Sequence, residues 1–302
     1  MMKIAIVGIG RWGKNLIRDF SKLVQVKICV TTGNRKNLAW LQQNYPDVIH
    51  TTDIHEILKD PSISAIVIAT PINSHFSIAK KALESKKHVF VEKPLTKTVA
   101  ETQKLIKIAK KNQRCLFVGH VFLYNEIFKK IKAIHKTESI KYINFEWKKL
   151  GTFDEDIFEN LLSHDLSLNL ELFGMPKKIK LISKYGLLTT VDRFSLELYF
   201  NKNTKSEISI DRTAHYKKKT VMIMTQTNSY IWDDNELFKF NILLNLIQKY
   251  SYYIIKCIQI IYVMRQWFSN SIRIFYKLLN NIFHAMFFVN YSYTISFRTL
   301  SI

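Results

Sequence analysis

Three glycines near the amino terminus have the spacing of a phosphate-binding turn. Gly8, Gly10 and Gly13 follow a short apolar run and open a helix-like segment, in the pattern Gly-x-Gly-x-x-Gly. Gly8 would make the tight turn, Gly10 would let the backbone approach a pyrophosphate, and Gly13 would allow the helix to pack closely on the strand. The positive end of the helix would then face the diphosphate. The motif predicts a dinucleotide site, with Arg11 and Trp12 among its contacts.

The end of the second apolar run bears on which dinucleotide is bound. A carboxylate usually stands here and binds the ribose hydroxyls, but residues 31–36 read TTGNRK. This segment therefore contains no carboxylate that would repel a 2′-phosphate, and Arg35 or Lys36 could pair with such a phosphate. Alternatively, these are ordinary solvated basic residues. The predicted cofactor is therefore NAD or NADP, with Thr31 and Arg35 among its contacts.

Polar residues also follow two later apolar runs, at the carboxyl ends of predicted parallel strands. Open α/β sheets bind their ligands at this edge. We therefore expect these residues to belong to the cofactor site: Thr70, Pro71, Asn73 and His75 after the first run, and Glu92, Lys93 and Pro94 after the second.

The elements that must position these residues alternate between strand and helix. Strands are predicted at residues 3–7, 26–30, 64–69, 88–91 and 116–118, and helices at 11–22, 37–44, 74–85 and 97–111. Asn73 or Ser74 would cap the third of these helices. Near-continuous apolar strands are typical of a parallel sheet covered on both faces. The first part is thus predicted to be α/β, a Rossmann fold with a doubly wound parallel sheet.

Beyond about residue 135 the pattern changes. A helix over residues 157–173 is followed by strand-like runs at 178–183, 193–200, 207–211, 219–225 and 229–232. This order predicts an α+β domain with a mostly antiparallel open sheet. The predicted division is an NAD(P)-binding domain at 1–122, a substrate and oligomerisation domain at 123–243, and an atypical tail at 244–302.

Together these motifs resemble those of the Gfo/Idh/MocA family, the relatives of glucose–fructose oxidoreductase and inositol dehydrogenase. The resemblance is carried by the glycine loop and by residues 69–75 (ATPINSH), 87–95 (KHVFVEKPL) and 118–125 (VGHVFLYN). It extends over about residues 3–240 and is nearest to members that act on sugar nucleotides. It implies hydride transfer between a nicotinamide cofactor and a sugar carbinol.

The resemblance also implies roles for individual residues. Lys93 would lie beside the nicotinamide and the reacting hydroxyl, and the family's Lys–Pro bond at this place is often cis. His164 would be the general base when an alcohol is oxidised and the general acid in reverse. The family's Asp four residues earlier is Asn160 here, which can hydrogen-bond but supplies no negative charge. Asp165 would not replace it, because adjacent helix residues point about 100° apart.

We expect the side chains of Lys93 and His164 to line the substrate pocket, together with those of His120 and Tyr124. Each of the histidines and the tyrosine could instead be structural, and His75 is open to both interpretations as well. The predicted substrate-binding residues are Lys93, His120, Tyr124 and His164.

Composition narrows the function classes. The net charge of +21 is spread along the chain without a basic and aromatic module, so we expect no nucleic-acid partner. Three distant cysteines, Cys29, Cys115 and Cys257, make neither a disulfide framework nor a zinc pattern, and we expect no metal site. Cys29 and Cys115 stand in apolar, strand-like runs. Because no signal-peptide pattern is present, the predicted compartment is the reducing cytoplasm.

The last part of the chain differs from the rest. From Leu237 to Ile302 there is no Asp, Glu, Gly or Pro. Basic residues at 256, 265, 273 and 277 interrupt the apolar runs, so no transmembrane segment is expected, whereas an amphipathic helix on a membrane surface stays open. The family's usual tail is not recognisable, and our hypothesis is a replaced or frame-shifted C-terminus.

The leading prediction is an NAD(P)-dependent oxidoreductase that moves a hydride between nicotinamide and a CH–OH carbon of a sugar or sugar nucleotide. The resemblance implies a homo-oligomer formed through the exposed face of the second sheet. The alternative is a degenerate, non-catalytic relative that binds cofactor, motivated by Asn160 and the tail. A third interpretation is a basic protein of membrane or nucleic-acid surfaces.

Overall fold

The first half of the chain forms a parallel sheet with helices on both faces. The computed structural model describes residues 1–151, 153–242 and 256. The elements of this half are β1 (Lys3–Val7), α1 (Arg11–Phe20), β2 (Gln25–Val30), α2 (Arg35–Asn44), β3 (Ile49–Thr51), α3 (Ile54–Lys59), β4 (Ile63–Ile68), α4 (Ile72–Glu84), β5 (His88–Val91), α5 (Val99–Lys111) and β6 (Leu116–Val118).

The strand order β3-β2-β1-β4-β5-β6 places β1 and β4 at the centre, and every neighbouring pair is parallel. Alternate residues of β1 enter opposite cores because strand side chains point to alternate faces. Ile4 and Ile6 pack with Ile17 of α1, whereas Ala5 and Val7 belong to the core that α4 and α5 cover. The predicted doubly wound α/β fold is confirmed.

The second half forms a seven-stranded sheet with two helices on its inner face. After a short 3₁₀ turn at Val121–Tyr124, its elements are α6 (Glu126–Glu138), β7 (Tyr142–Lys148), a π-helical turn (Phe158–Leu162), α7 (Ser163–Phe173), β8 (Lys178–Tyr185), β9 (Arg193–Tyr199), β10 (Lys205–Asp211), β11 (Lys218–Met224), β12 (Asn228–Asp233) and β13 (Glu236–Asn241).

The strand order of the second sheet is β13-β12-β11-β7-β10-β9-β8. β7 and β10 are parallel, while the other pairs with a defined register are antiparallel, which confirms the predicted mostly antiparallel sheet. Inward side chains alternate with outward ones, and Phe145 and Phe194 are buried against Phe128 of α6 and Leu168 of α7. The sheet and its helices thus share one core.

Several sequence predictions were incomplete or wrong. β3, α3, α6, β7 and β13 were not predicted, since β3 and α3 are short and the polar residues of the others obscure their periodicity. α4 begins at Ile72 after Pro71, so neither Asn73 nor Ser74 is its cap. Instead, the Ser74 hydroxyl donates to the carbonyl of Pro71 at 2.9 Å. Cys115 precedes β6 and is exposed, not part of an apolar strand.

Both sheets lie within one compact unit, Met1–Lys239, apart from the end of β13. The predicted domain boundary at residue 122 stays a prediction. The predicted tail, Cys257 and the hypothesis about the C-terminus fall outside the described residues, except for Lys256. Among the residues that are described, no helix has the length and apolarity needed to cross a bilayer. The same residues contain no group of three His, Cys, Asp or Glu side chains that could hold a metal ion.

Candidate active site

The glycine turn joins β1 to α1 with no room for side chains at two of its three glycines. Gly8 has φ +93°, and a Cβ there would lie 2.6 Å from the carbonyl oxygen of Ala69. A Cβ on Gly13 would lie 2.0 Å from the carbonyl oxygen of Gly8. Gly10 differs, since nothing lies within 4 Å of the position of its Cβ. The backbone is therefore packed on the protein side and open at Gly10, where a diphosphate could approach.

The start of α1 fits an anion. The residue before the helix, Gly10, has no side chain to cap the N–H groups, and the first turn holds no acidic residue. The helix N-terminus thus presents N–H donors and a partial positive charge. Arg11 and Trp12 are exposed at this end. The geometry of the turn fits the predicted dinucleotide.

His75 connects the loops after β4 and β5. It is buried, and its ring nitrogens lie 2.7 Å from the carbonyl oxygen of Thr70 and 2.9 Å from that of Pro94. The Lys93–Pro94 peptide bond is cis. His75 therefore positions the two loops that carry the predicted polar residues, while its contact with a cofactor stays a prediction.

Lys93 connects the first sheet to the second half of the chain. Its Nζ donates to the backbone oxygen of Asn160 at 2.7 Å and to the Asn160 Oδ1 at 3.1 Å. Burial lowers the pKa of Lys93, although Glu155 and Glu92 act in the opposite direction. Burial raises the pKa of Glu92, whose Oε1 has no hydrogen-bond partner among the described residues.

The predicted helix over residues 157–173 begins with a π-helical turn, which contains Asn160, and continues as α7, which contains His164. Such turns are frequent at functional sites. The Asp156 Oδ1 accepts hydrogen bonds from the first N–H groups, those of Phe158 at 2.8 Å and Glu159 at 3.0 Å. This cap fixes the segment that presents Asn160 to Lys93.

His164 lies in an aromatic enclosure. Its ring makes an edge contact with Phe122, with 4.8 Å between centroids, and is stacked on Trp147 at 5.8 Å. It is 7% exposed, and its Nδ1 has no hydrogen-bond partner among the described residues. Burial is the main cause that lowers the pKa of His164 to about 2, with the charges of Lys93, Lys219 and His120 adding to the effect. The imidazole is therefore neutral at pH 7 and binds a proton only weakly.

The structure brings four predicted residues together. Lys93 bonds to Asn160, and Lys93 and His120 lie within electrostatic range of His164. Burial, followed by the charge of Lys93, lowers the pKa of His120, whose Nδ1 is buried without a partner in the described part of the chain. Tyr124 is 57% exposed, and its ring contacts Phe117 at 5.9 Å. Its place in a substrate pocket stays a prediction.

The remaining predicted cofactor residues lie at or beside the carboxyl edge of the first sheet. Thr31 is buried directly after β2, and its N–H donates to the carbonyl oxygen of Thr51 at 3.0 Å. Arg35 is the exposed first residue of α2, Thr70 accepts at its Oγ1 from Ser74 at 2.7 Å, and Asn73 is exposed in α4. Their contacts with a dinucleotide stay predictions.

Sequence reasoning missed Lys219 and gave no role to Trp147. Lys219 lies on the inner face of β11, with Val221 and Ile223, which are buried. A lysine at an apolar position of a period-two strand was the signal that could have found it. Asp165, for which the sequence predicted no role, is buried, and its Oδ2 has no partner among the described residues.

We expect His164→Gln to weaken the fall in stability at acid pH. The unfolded His takes up a proton below about pH 6.5 whereas the folded one does not, so the unfolded state gains protons as the pH falls and the free energy of unfolding decreases. The substitution should therefore remove at most about 1.4 kcal/mol per pH unit from the pH dependence of the free energy of unfolding. Urea unfolding at pH 7 and pH 5 measures it.

His50→Gln is the matched control, because His50 is exposed. Burial raises the pKa of Asp165 to about 7, which stabilises the fold as the pH falls. Because Asp165 is present in the wild type and in both histidine variants, its contribution cancels when their pH dependences are compared. An equal pH dependence of unfolding in the wild type and His164→Gln would contradict a neutral His164.

Comparisons with known proteins agree with the fold and the cofactor turn. A family model described as an oxidoreductase family with an NAD-binding Rossmann fold, Gfo/Idh/MocA, matches residues 2–120. The NADP(+)-dependent scyllo-inositol 2-dehydrogenase of Bacillus subtilis is 27% identical over 221 residues, which are 67% of this chain and 60% of that protein. The myo-inositol 2-dehydrogenase of Thermotoga maritima is 27% identical over 132 residues, 43% of this chain and 40% of that protein.

Among solved structures, a UDP-N-acetylglucosamine 3-dehydrogenase from Acidithiobacillus ferrooxidans superposes with a TM-score of 0.73 at 21% identity, covering 80% of each chain. This likeness shows a shared fold. The matches to the curated relatives span between 38% and 60% of the lengths of the first few of them. Residues 2–120 therefore resemble the NAD-binding Rossmann domain by which the Gfo/Idh/MocA oxidoreductase family is described.

Proposed function

We propose that this chain is an NAD(P)-dependent oxidoreductase that transfers a hydride between nicotinamide and a CH–OH carbon of a sugar or sugar nucleotide. The observation that carries the proposal is the contact between Lys93, at the carboxyl end of β5, and Asn160, one turn before His164. It brings a cation and a neutral imidazole to the same edge of the sheet as the glycine turn.

The proposed reaction divides the work among the residues of the chain. When bound, the nicotinamide supplies the hydride acceptor for oxidation or the donor for reduction. Lys93 orients the substrate oxygen and stabilises negative charge that develops on it. In oxidation the C–H bond breaks as the hydride leaves, and a ring nitrogen of His164 takes the hydroxyl proton. Asn160 holds Lys93 in place by two hydrogen bonds but brings no charge.

The activities named for the relatives support polyols and sugars as the substrate class. Two matched proteins are inositol 2-dehydrogenases, and a structural neighbour is a UDP-N-acetylglucosamine 3-dehydrogenase. All three names are those of dehydrogenases that act on an inositol or a UDP-sugar.

Purified full-length protein tests the proposal in two steps. Titration with NADH and NADPH, followed by fluorescence, should give a saturable signal. A panel of inositols, free sugars and UDP-sugars with NAD or NADP should then give turnover for at least one compound. Absence of cofactor binding in folded protein would refute the proposal. Saturable binding without turnover favours the second candidate, a non-catalytic relative, which is motivated by the asparagine at position 160.

We expect Arg35→Ala to weaken NADPH binding at least about tenfold more than NADH binding, since a charged hydrogen bond to the 2′-phosphate is worth about 1.5–3 kcal/mol. Arg35 is exposed at the start of α2, whose first turn contains no acidic residue. Parallel titrations with NADH and NADPH measure the difference. Lys22→Ala, which removes an exposed charge elsewhere, is the control. Equal losses for both dinucleotides would contradict a role in recognising the phosphate.

Oligomer formation and compartment belong to the same proposal. We expect a homo-oligomer that pairs through the outer face of the second sheet, where Met222 and Met224 are 36% exposed. We expect the partners to be small molecules, not nucleic acids, and the compartment to be the cytoplasm. Sedimentation equilibrium tests the first expectation.

A further inference from the structure

Lys219 is an inward-facing lysine beside the candidate active site. On β11 it lies opposite Trp147 of the neighbouring strand. Its Nζ is 3.1 Å from the ring centroid of Phe122 and 4.1 Å from that of Trp147. The Nζ is buried and has no hydrogen-bond partner among the described residues. Burying an ammonium is costly, and the two ring faces offset part of that cost.

The same two rings enclose His164. Phe122 meets the imidazole edge-on and Trp147 stacks on it. The ammonium of Lys219 and the imidazole of His164 therefore share two walls of one enclosure. A positive charge on Lys219 opposes a positive charge on the imidazole, because the interior screens like charges poorly.

The other charged groups around His164 do not cancel this effect. Lys93 approaches from the loop after β5, and its charge also disfavours an imidazolium; His120, after β6, acts in the same direction when its ring is protonated. Asp165, on the same helix as His164, acts on Lys219, whose charged form it favours. Position 160 carries no carboxylate that would stabilise an imidazolium from the side of Lys93.

We infer that Lys219 is a positioning residue whose charge sets how readily His164 accepts the substrate proton. The inference rests on the proposed function for its catalytic meaning. While Lys219 is charged, the imidazolium that forms during oxidation is destabilised. When Lys219 loses its proton, His164 becomes a stronger base, and the O–H proton of the carbinol moves to it more readily.

The pH at which this change occurs is within reach of measurement. Burial is the main cause that lowers the pKa of Lys219 to about 8, and Lys217 lowers it further, while Asp165 raises it. In the wild type, kcat for oxidation should therefore rise through about pH 8. A shift of one pH unit in the proton affinity of His164 corresponds to a tenfold change in population, so the expected rise is about threefold to tenfold.

Two substitutions separate charge from packing. Lys219→Met keeps an unbranched side chain, one atom shorter and without the charge, and should show the higher rate at every pH from 6.5 to 9. Lys219→Arg keeps the charge throughout this range and should show the lower rate. Both should lack the rise near pH 8. Lys218→Met is the control, because Lys218 bonds to Glu146 on the outer face of the sheet and its loss should leave the wild-type profile.

A second measurement does not need turnover. In full-length protein with ¹³C at the Cε1 atoms of histidine, the His164 signal, assigned with His164→Gln, should move near pH 8 in the wild type but not in Lys219→Met. Cofactor binding with that step but without turnover would refute the proposed function and support the inference. Equal pH profiles and equal His164 signals in the wild type and both Lys219 variants would overturn the inference.

Discussion

Lys93→Met is expected to lower kcat at least about a hundredfold while NADH binding stays within about threefold of the wild type. The loss of one donor to a developing oxyanion costs about a hundredfold to a thousandfold in rate. The ammonium of Lys93 also makes the two hydrogen bonds to Asn160. Its removal therefore takes away both the group that stabilises the alkoxide and the link between the two sheets.

Steady-state kinetics with the substrate found in the panel, together with NADH titration, measures the effect. Lys97→Met is the control, since Lys97 is an exposed lysine four residues further along the chain. It should keep wild-type kinetics. If Lys93→Met kept its kcat, Lys93 would not act on the reacting oxygen. If NADH affinity fell as steeply as the rate, the loss would come from cofactor binding or from the scaffold.

The first sheet was predictable because its signals are local. The apolar strands, the glycine turn and the proline after Lys93 each occupy a few adjacent residues, and parallel order brings the strand ends to one edge. The predicted and observed limits of β1, β5 and β6 agree. β3 escaped because three residues, two of them exposed, carry no periodic signal.

The candidate site was predictable only in part because its contacts cross the chain. The bond between Lys93 and Asn160 joins residues 67 positions apart, and its geometry depends on how α7 and its preceding turn pack. The family resemblance identified both residues, but not that a backbone carbonyl would accept from Lys93. The low proton affinity of His164 arises from burial and from the nearby Lys93, Lys219 and His120, which lie far apart in the sequence.

The inward position of Lys219 could be predicted from the sequence, whereas its surroundings could not. Its inward position follows from the alternation of β11 with Val221 and Ile223. The enclosure by Phe122 and Trp147 does not, because Phe122 belongs to the 3₁₀ turn after β6 and Trp147 to a strand that was not predicted. Because β7 was not predicted, the sequence could not show that Lys219 lies beside His164, the predicted base.

We expect the second large effect in the glycine turn, where alanine is introduced either at Gly13 or at Gly10. Gly13→Ala should unfold the protein or destabilise it by about 3 kcal/mol, because the new Cβ meets the backbone oxygen of Gly8 at 2.0 Å and backbone atoms cannot rotate away. Gly10→Ala should fold normally, since its φ of −70° suits alanine and its Cβ meets nothing within 4 Å.

Gly10→Ala separates an effect on cofactor binding from an effect on folding. If a diphosphate approaches the backbone at Gly10, the methyl group of Gly10→Ala takes up the space that the diphosphate needs, and NADH affinity should fall at least about tenfold, or about 1.4 kcal/mol. Urea unfolding and NADH titration of both variants give the two readings. Unchanged NADH affinity in well-folded Gly10→Ala would mean that the open side of the turn does not face the cofactor. Gly8 and Gly13 would still be required, because the collision distances leave no room for a side chain there whether or not a ligand binds.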